Sequence, residues 1–255
     1  MEYPIHISNK VKNDNITVYF LIIIGYLMLS IIHTNRLVAA NANTTGFLDF
    51  NLYPYLSDVN TDNFFTLNIA ATFNSRLSYF SLLNFSDKNG DFEVNTYYTE
   101  QNIRWKISDN SPLDLTAQFN FRTGENNNRH RLGIRWRLNN TSAFENFFKS
   151  INLSYAINLH AVQFDHEDAD VWQLEHAFMM KFPDISSNLY LAGFIDHTFN
   201  QNLPDNFPDN PIVAEAQLGY ELFDNFYFIM EYRLNKYRRS DINNFAAGFQ
   251  YKTFW

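Results

Sequence analysis

Asn244-Phe-Ala-Ala-Gly-Phe-Gln-Tyr-Lys-Thr-Phe-Trp255 closes the chain, and its reading decides the fold. Counting back from Trp255, every second residue is apolar or aromatic with one Thr: Thr253, Tyr251, Phe249, Ala247 and Phe245. Lys252, Gln250, Gly248 and Asn244 stand between them. Strand side chains alternate between faces, so this is a strand with one apolar side and one polar side.

The same period of two governs everything from Thr44 onward. Strands are expected at about residues 47–55, 64–73, 76–85, 95–107, 113–122, 129–138, 151–164, 171–182, 188–199, 212–222, 226–235 and 244–255. The fifth is the cleanest: Leu113, Leu115, Ala117, Phe119 and Phe121 oppose Asp114, Thr116, Gln118, Asn120 and Arg122. The ninth leaves its phase open. Connections at Asn74, Asp109, Asp184 and Asp224 are short, and most of the others are longer and acidic. Residues 139–150 are an exception, with Phe144, Phe147 and Phe148 suited to a short interfacial helix.

An even strand count puts both chain ends on one side, and pairing the first strand with the last removes both sheet edges. The expected fold is all-β: a 12-stranded antiparallel up-and-down transmembrane β-barrel over residues 43–255. Parity alone leaves open which face is outside. A soluble barrel of the lipocalin kind would turn the apolar faces inward, but about eight strands suffice for that.

The terminal aromatic closing such a strand resembles the C-terminal β-signal of bacterial outer-membrane β-barrel proteins. That resemblance implies residence in the outer membrane of a Gram-negative cell, with the closing strand recognised by the assembly machinery. In strand count the chain is similar to nucleoside channels and acidic-oligosaccharide porins, with no motif placing it in either.

Residues 16–32 are the one long apolar run, preceded by Lys10 and Lys12 and followed by Ala40-Asn41-Ala42. Basic start, apolar core and a small-x-small site read as a secretory signal peptide over residues 1–42. An uncleaved anchor is the alternative, since the run could just span a bilayer.

Composition agrees with a barrel. The chain is 46% hydrophobic and 18% aromatic, with 26 Phe and 15 Tyr. Its mean hydropathy is nevertheless only −0.31. Alternation hides an apolar face inside a polar average. The absence of cysteine excludes disulfides and thiolate metal sites. A formal net charge of −8 argues against a nucleic-acid partner, which would need a basic face.

If the apolar parity meets lipid, the polar parity lines the lumen. Arg104, Lys106, Arg122, Arg129, Arg131, Arg135 and Arg137 fall on strands four to six. Glu175, Asp196, Glu215, Glu221 and Glu231 fall on strands eight to eleven, with Lys181 and Arg233 among them. In a ring of twelve, the fifth strand faces the eleventh. The pore-lining set is read as Arg104, Lys106, Arg122, Arg131, Arg135, Arg137, Glu175, Glu215, Glu221 and Glu231. Opposed charged walls would set a transverse field across a water-filled pore. Alternatively, the same charges pair and fill the lumen, because an unpaired charge there is expensive.

Catalytic signals are weak. Some twelve-stranded outer-membrane barrels are phospholipases with an outward His and a Ser two residues on. Here His130, His160, His166, His176 and His197 precede Leu132, Val162, Asp168, Phe178 and Phe199. His176 falls on the lipid parity and reads as interfacial. Asp165 to Asp170 is acidic enough for a hard cation but lacks calcium-loop spacing, and reads as a solvated loop. Lys236, Arg238 and Arg239 cluster at the outer rim, where lipopolysaccharide phosphates would suit them. No phosphate loop, zinc motif or nucleophile elbow is present, so neither metal nor cofactor is expected.

The sequence thus points to an outer-membrane, porin-like channel for passive diffusion of small polar or charged solutes, not an enzyme. Its expected partners are outer-membrane lipid, lipopolysaccharide, the assembly machinery and the solute. A structural or interaction barrel with a salt-bridged closed lumen is the alternative, and a lipid-acting enzyme the third.

Overall fold

The computed structural model describes residues 44–56, 63–86, 94–124, 128–164, 170–239 and 241–255. The leader read at residues 1–42, and most of the acidic loop at 165–170, lie outside these. The strands are β1 (Thr45–Leu52), β2 (Asn63–Thr72), β3 (Leu77–Ser86), β4 (Thr96–Lys106), β5 (Leu113–Arg122) and β6 (Arg129–Arg137). They continue with β7 (Leu153–Phe164), β8 (Trp172–Lys181), β9 (Leu189–Phe199), β10 (Ile212–Phe223), β11 (Phe226–Asn235) and β12 (Asn243–Phe254). Each pairs antiparallel with its sequence neighbours, and β1 pairs with β12, so the sheet is a closed barrel. β5 and β11 match their expected limits, and the other strands differ by only a few residues.

The direction of the side chains settles which face is outside. Leu115 is 52% exposed, whereas Thr116 beside it is 3% exposed. Ile103, Trp105, Leu132, Ile134, Trp136, Leu218, Phe228, Met230, Phe245 and Phe249 stand outside, while Asn102, Gln118, Arg131, Asn158 and Glu231 are buried inside. In water, so large an exposed apolar belt would drive association; in a bilayer it is solvated by acyl chains. The molecule is therefore a transmembrane β-barrel of the outer-membrane type, and the inward-apolar alternative falls. β9 resolves too, with Tyr190, Asp196 and Thr198 inward and Ile195 outward.

The turns at the end where β1 begins and β12 stops follow from local chemistry. The Asn74 side chain accepts the backbone N–H groups of Arg76 and Leu77, each at 2.8 Å, an Asx-type turn. Between β10 and β11, Asn225 takes a left-handed φ of 64°, which Asn tolerates.

Two departures from the simple alternation occur around β7. Ile134 pairs with Leu159 and Leu132 with Val162, so β7 holds one extra residue. This bulge keeps His160 inward, yet also turns Gln163 inward and Val162 outward. Gly133 lies opposite it, and a Cβ there would stand 1.9 Å from the Leu159 carbonyl oxygen. Only glycine fits.

The strand also starts later than the residue pattern indicates. Ile151 caps the short helix α1 (Glu145–Ser150), and Asn152 turns the chain with φ of 52°. A 3-10 turn over Leu138–Asn140 precedes that helix. The link rests on outward aromatics: Phe144 lies 6.2 Å from Trp136, and Phe148 stacks 6.1 Å from Tyr155. The Trp136 indole donates to the Thr141 hydroxyl at 2.8 Å. Phe147, 60% exposed, points away from the barrel, as an interfacial helix requires.

Candidate functional site

The ten residues read as pore-lining share the inward parity. Arg104 and Lys106 sit on β4, Arg122 on β5, and Arg131, Arg135 and Arg137 on β6. Glu175 sits on β8, Glu215 and Glu221 on β10, and Glu231 on β11. With β5 placed half a ring from β11, the bases of β4–β6 face Glu215, Glu221 and Glu231, while Glu175 on β8 stands a quarter ring from β5.

Several of these charges are held within their own wall. The Arg131 guanidinium donates to Gln163 at 2.8 Å through Nε and to Gln118 at 2.7 Å through Nη1. Asn102 continues the chain, donating to Glu100 at 2.8 Å, and the Tyr98 hydroxyl donates to the same carboxylate at 3.1 Å. Arg137 forms an ion pair with Asp114 at 3.1 Å and donates to the Ser111 carbonyl at 2.7 Å. Glu175 accepts Asn158 at 2.6 Å and faces His160 at 3.4 Å. Glu221 acts more locally, since its carboxylate accepts the Asn225 N–H at 2.9 Å and caps the β10–β11 turn.

Others keep donors in reserve. The Nε atoms of Arg104, Arg122 and Arg135 are buried without a hydrogen-bond partner among the described residues. Arg104 lies 5.7 Å from the Phe80 ring and Arg122 lies 5.4 Å from the Tyr98 ring. Aromatic faces attract the guanidinium without consuming its N–H groups.

Across the lumen, tyrosines organise the wall. Tyr55, just beyond β1 and bridged to Ala246, donates its hydroxyl to Glu231. Gln217 donates to the other Glu231 oxygen at 3.1 Å. Tyr53, Tyr55, Ile229 and Ala246 form a small buried cluster on this wall. Tyr190 lies across Gly219, where a Cβ would meet its ring at 2.2 Å, and donates to Gln250 at 2.6 Å. Lys252 stands 4.3 Å over the Tyr190 ring and 4.9 Å from Tyr227. Asp49 accepts Asn51 at 2.7 Å and Asn68 at 2.9 Å. Asp196 stands in the fields of Glu175, Glu100 and Glu215, with Arg131 opposing them.

The pore-lining set therefore omitted Tyr53, Tyr55, Tyr190, Tyr227, Glu100, Asp49 and Lys252. Asp49, Glu100, Tyr190, Tyr227 and Lys252 fall on the polar parity of their strands, and Tyr53 and Tyr55 continue that of β1 beyond its end. The residue pattern puts Tyr53 and Tyr227 on the polar faces of their strands, but the pore-lining set was drawn from charged residues alone.

On the outer face, two histidines sit among aromatic rings, and the His130 Nδ1 has no hydrogen-bond partner among the described residues. His176 Nδ1 is 2.7 Å from the Tyr155 hydroxyl. His130 rests between Phe119 and Phe121, at 5.5 and 5.7 Å.

Against known proteins, no family model matches the chain, and no curated protein matches it. Among solved structures it is similar to one described as KdgM porin, with a TM-score of 0.48 and 16% identity over 81% of this chain and 98% of that one. NanC porin gives 0.48 and 11% over 82% and 99%, respectively. Pseudomonas aeruginosa OccK11 (OpdR) gives 0.38 and 8%, over 82% of this chain and 63% of its own.

Proposed function

We propose that the protein is an outer-membrane channel for passive diffusion of small polar or charged solutes. The observation that carries this reading is the run of lumen arginines on β4–β6, half a ring from the inward carboxylates of β10 and β11. Twelve strands enclose more space than side chains readily fill. In that low-dielectric cylinder, fixed charges bias which solutes enter. Arg104, Lys106, Arg122, Arg131, Arg135 and Arg137 would form one side of the path. Glu175, Glu215, Glu221 and Glu231 would form the other, with Arg131 and Glu221 shaping it rather than meeting solute. The closing strand would engage the assembly machinery during insertion. Planar-bilayer recording of refolded protein tests the reading: discrete conductance steps are expected, and their absence sinks it.

A closed, structural barrel is the second reading. The deeply buried Arg131–Gln118–Gln163 network favours it, because such contacts occupy lumen space. A lipid-acting enzyme gains less support, since Tyr155 already engages the His176 ring.

A further inference from the structure

Six inward side chains on β7, β8 and β9 form one patch of the barrel wall. Asn158 lies opposite Glu175 and Glu175 opposite Asp196; one row along, His160 lies opposite Gln173 and Gln173 opposite Thr198. Two carboxylates thus stand directly across from each other on neighbouring strands, an arrangement that repulsion disfavours. Asn158 and His160 hold Glu175, while Arg104 and Arg135 act on it from β4 and β6 without forming an ion pair. Asp196 forms no ion pair among the described residues, and its Oδ1 has no hydrogen-bond partner among them. Arg131, the cation whose field reaches it, donates to Gln118 and Gln163 instead.

The neighbours of the two carboxylates point to what would sit there. Asn158, His160 and Gln173 are each at most 3% exposed. Each nonetheless has one polar atom without a partner among the described residues: Asn158 Oδ1, His160 Nδ1 and Gln173 Oε1. Asn158 donates its amide N–H to Glu175 at 2.6 Å, which fixes which end of it is the oxygen. His160 turns Nε2 toward Glu175 at 3.4 Å, which favours the ring proton on that nitrogen and leaves Nδ1 to accept. With Asp196 Oδ1, the patch therefore holds four unpartnered acceptors. Buried acceptors carry an uncompensated desolvation cost, and a group rich in N–H would offset it. Asp196, half-buried on the inward face, is where such a group would enter.

The acceptor set narrows the ligand. A hard cation takes oxygen ligands rather than an imidazole nitrogen. Among the described residues, no three His, Cys, Asp or Glu side chains converge to hold a metal ion. A quaternary ammonium brings charge but no N–H. A primary ammonium brings a positive charge for the carboxylates and three donors for the acceptors. We propose that this patch binds the primary ammonium group of a small amine solute, with Asp196 and Glu175 meeting its charge and Asn158, His160 and Gln173 sharing its N–H groups. The inference deepens the channel reading and rests on it.

The test titrates n-butylammonium chloride into the refolded full chain in uncharged detergent micelles at constant ionic strength, followed by saturation-transfer NMR. Saturable binding is expected. Tetramethylammonium and potassium should compete about tenfold more weakly, or worse, because they donate no N–H and a charged hydrogen bond is worth about tenfold in affinity. Asp196→Asn keeps the shape and removes the charge, and should weaken binding by about the same factor. Glu145→Gln on α1 should leave binding unchanged. Wild-type affinity in Asp196→Asn, with its barrel intact by circular dichroism and heat-modifiable gel mobility, overturns the proposal. Equal competition by tetramethylammonium or potassium also overturns it, because the patch would then attract charge alone. Single-channel recording on the same samples keeps the two readings apart. Ammonium binding without conductance sinks the channel, and conductance without ammonium binding sinks this site.

Discussion

The guanidinium of Arg233 lies 3.9 Å from the centre of the Tyr55 ring, inside the barrel. Tyr55 thereby serves two partners: its face meets a cation and its hydroxyl donates to the Glu231 carboxylate. Tyr55→Phe keeps the ring and removes only the donor. Leaving a buried carboxylate short of a partner costs about 1–3 kcal/mol. Chemical denaturation of the refolded barrel should register that loss, while the far-ultraviolet spectrum stays the same.

Arg135→Glu addresses the field directly. If Arg135 faces a water-filled path, reversing its charge should move ion selectivity toward cations. If Arg135 instead belongs to a structural ladder, the variant should lose about 3–5 kcal/mol. Reversal potentials in a salt gradient, measured beside unfolding curves, separate the outcomes.

Arg131 behaves oppositely. It is 4% exposed and held by Gln118 and Gln163. Arg131→Met should cost about 2–4 kcal/mol, since two buried amide oxygens lose charged donors. Selectivity should shift less than in the Arg135 variant.

Gly133→Ala tests the bulge. The added Cβ would collide with the Leu159 carbonyl, so β6 and β7 must separate. A loss of about 1–3 kcal/mol is expected. Deleting Ala161 in the same background removes the extra β7 residue and should restore part of it.

Strand number, limits and facing were legible because the lipid belt forces strict alternation wherever a strand crosses it. Leu113 to Arg122 shows this at its clearest. The bulge was not legible: Ala161 is an unremarkable residue, and its insertion shows only in the pairing of Ile134 with Leu159 and Leu132 with Val162. Ile151 and Asn152 read as strand because Ile fits the apolar parity, whereas the helix before them sets their geometry. Lumen contacts were legible only as walls. Which glutamine meets Arg131 depends on the stagger between strands, and alternation within a strand carries no information about stagger.

Eleven of the barrel's ladders join neighbours in sequence, and each can begin as a local hairpin. The twelfth pairs Phe47 with Phe254, almost the whole span of the barrel apart. Contacts of such separation form slowly, because loop-closure entropy must be met before any bond repays it. Until then β1 and β12 are open templates for other chains. Folding time should therefore track the encounter of β1 with β12. A covalent tether between residues 44 and 255 would then speed barrel formation far more than any change in the hairpins.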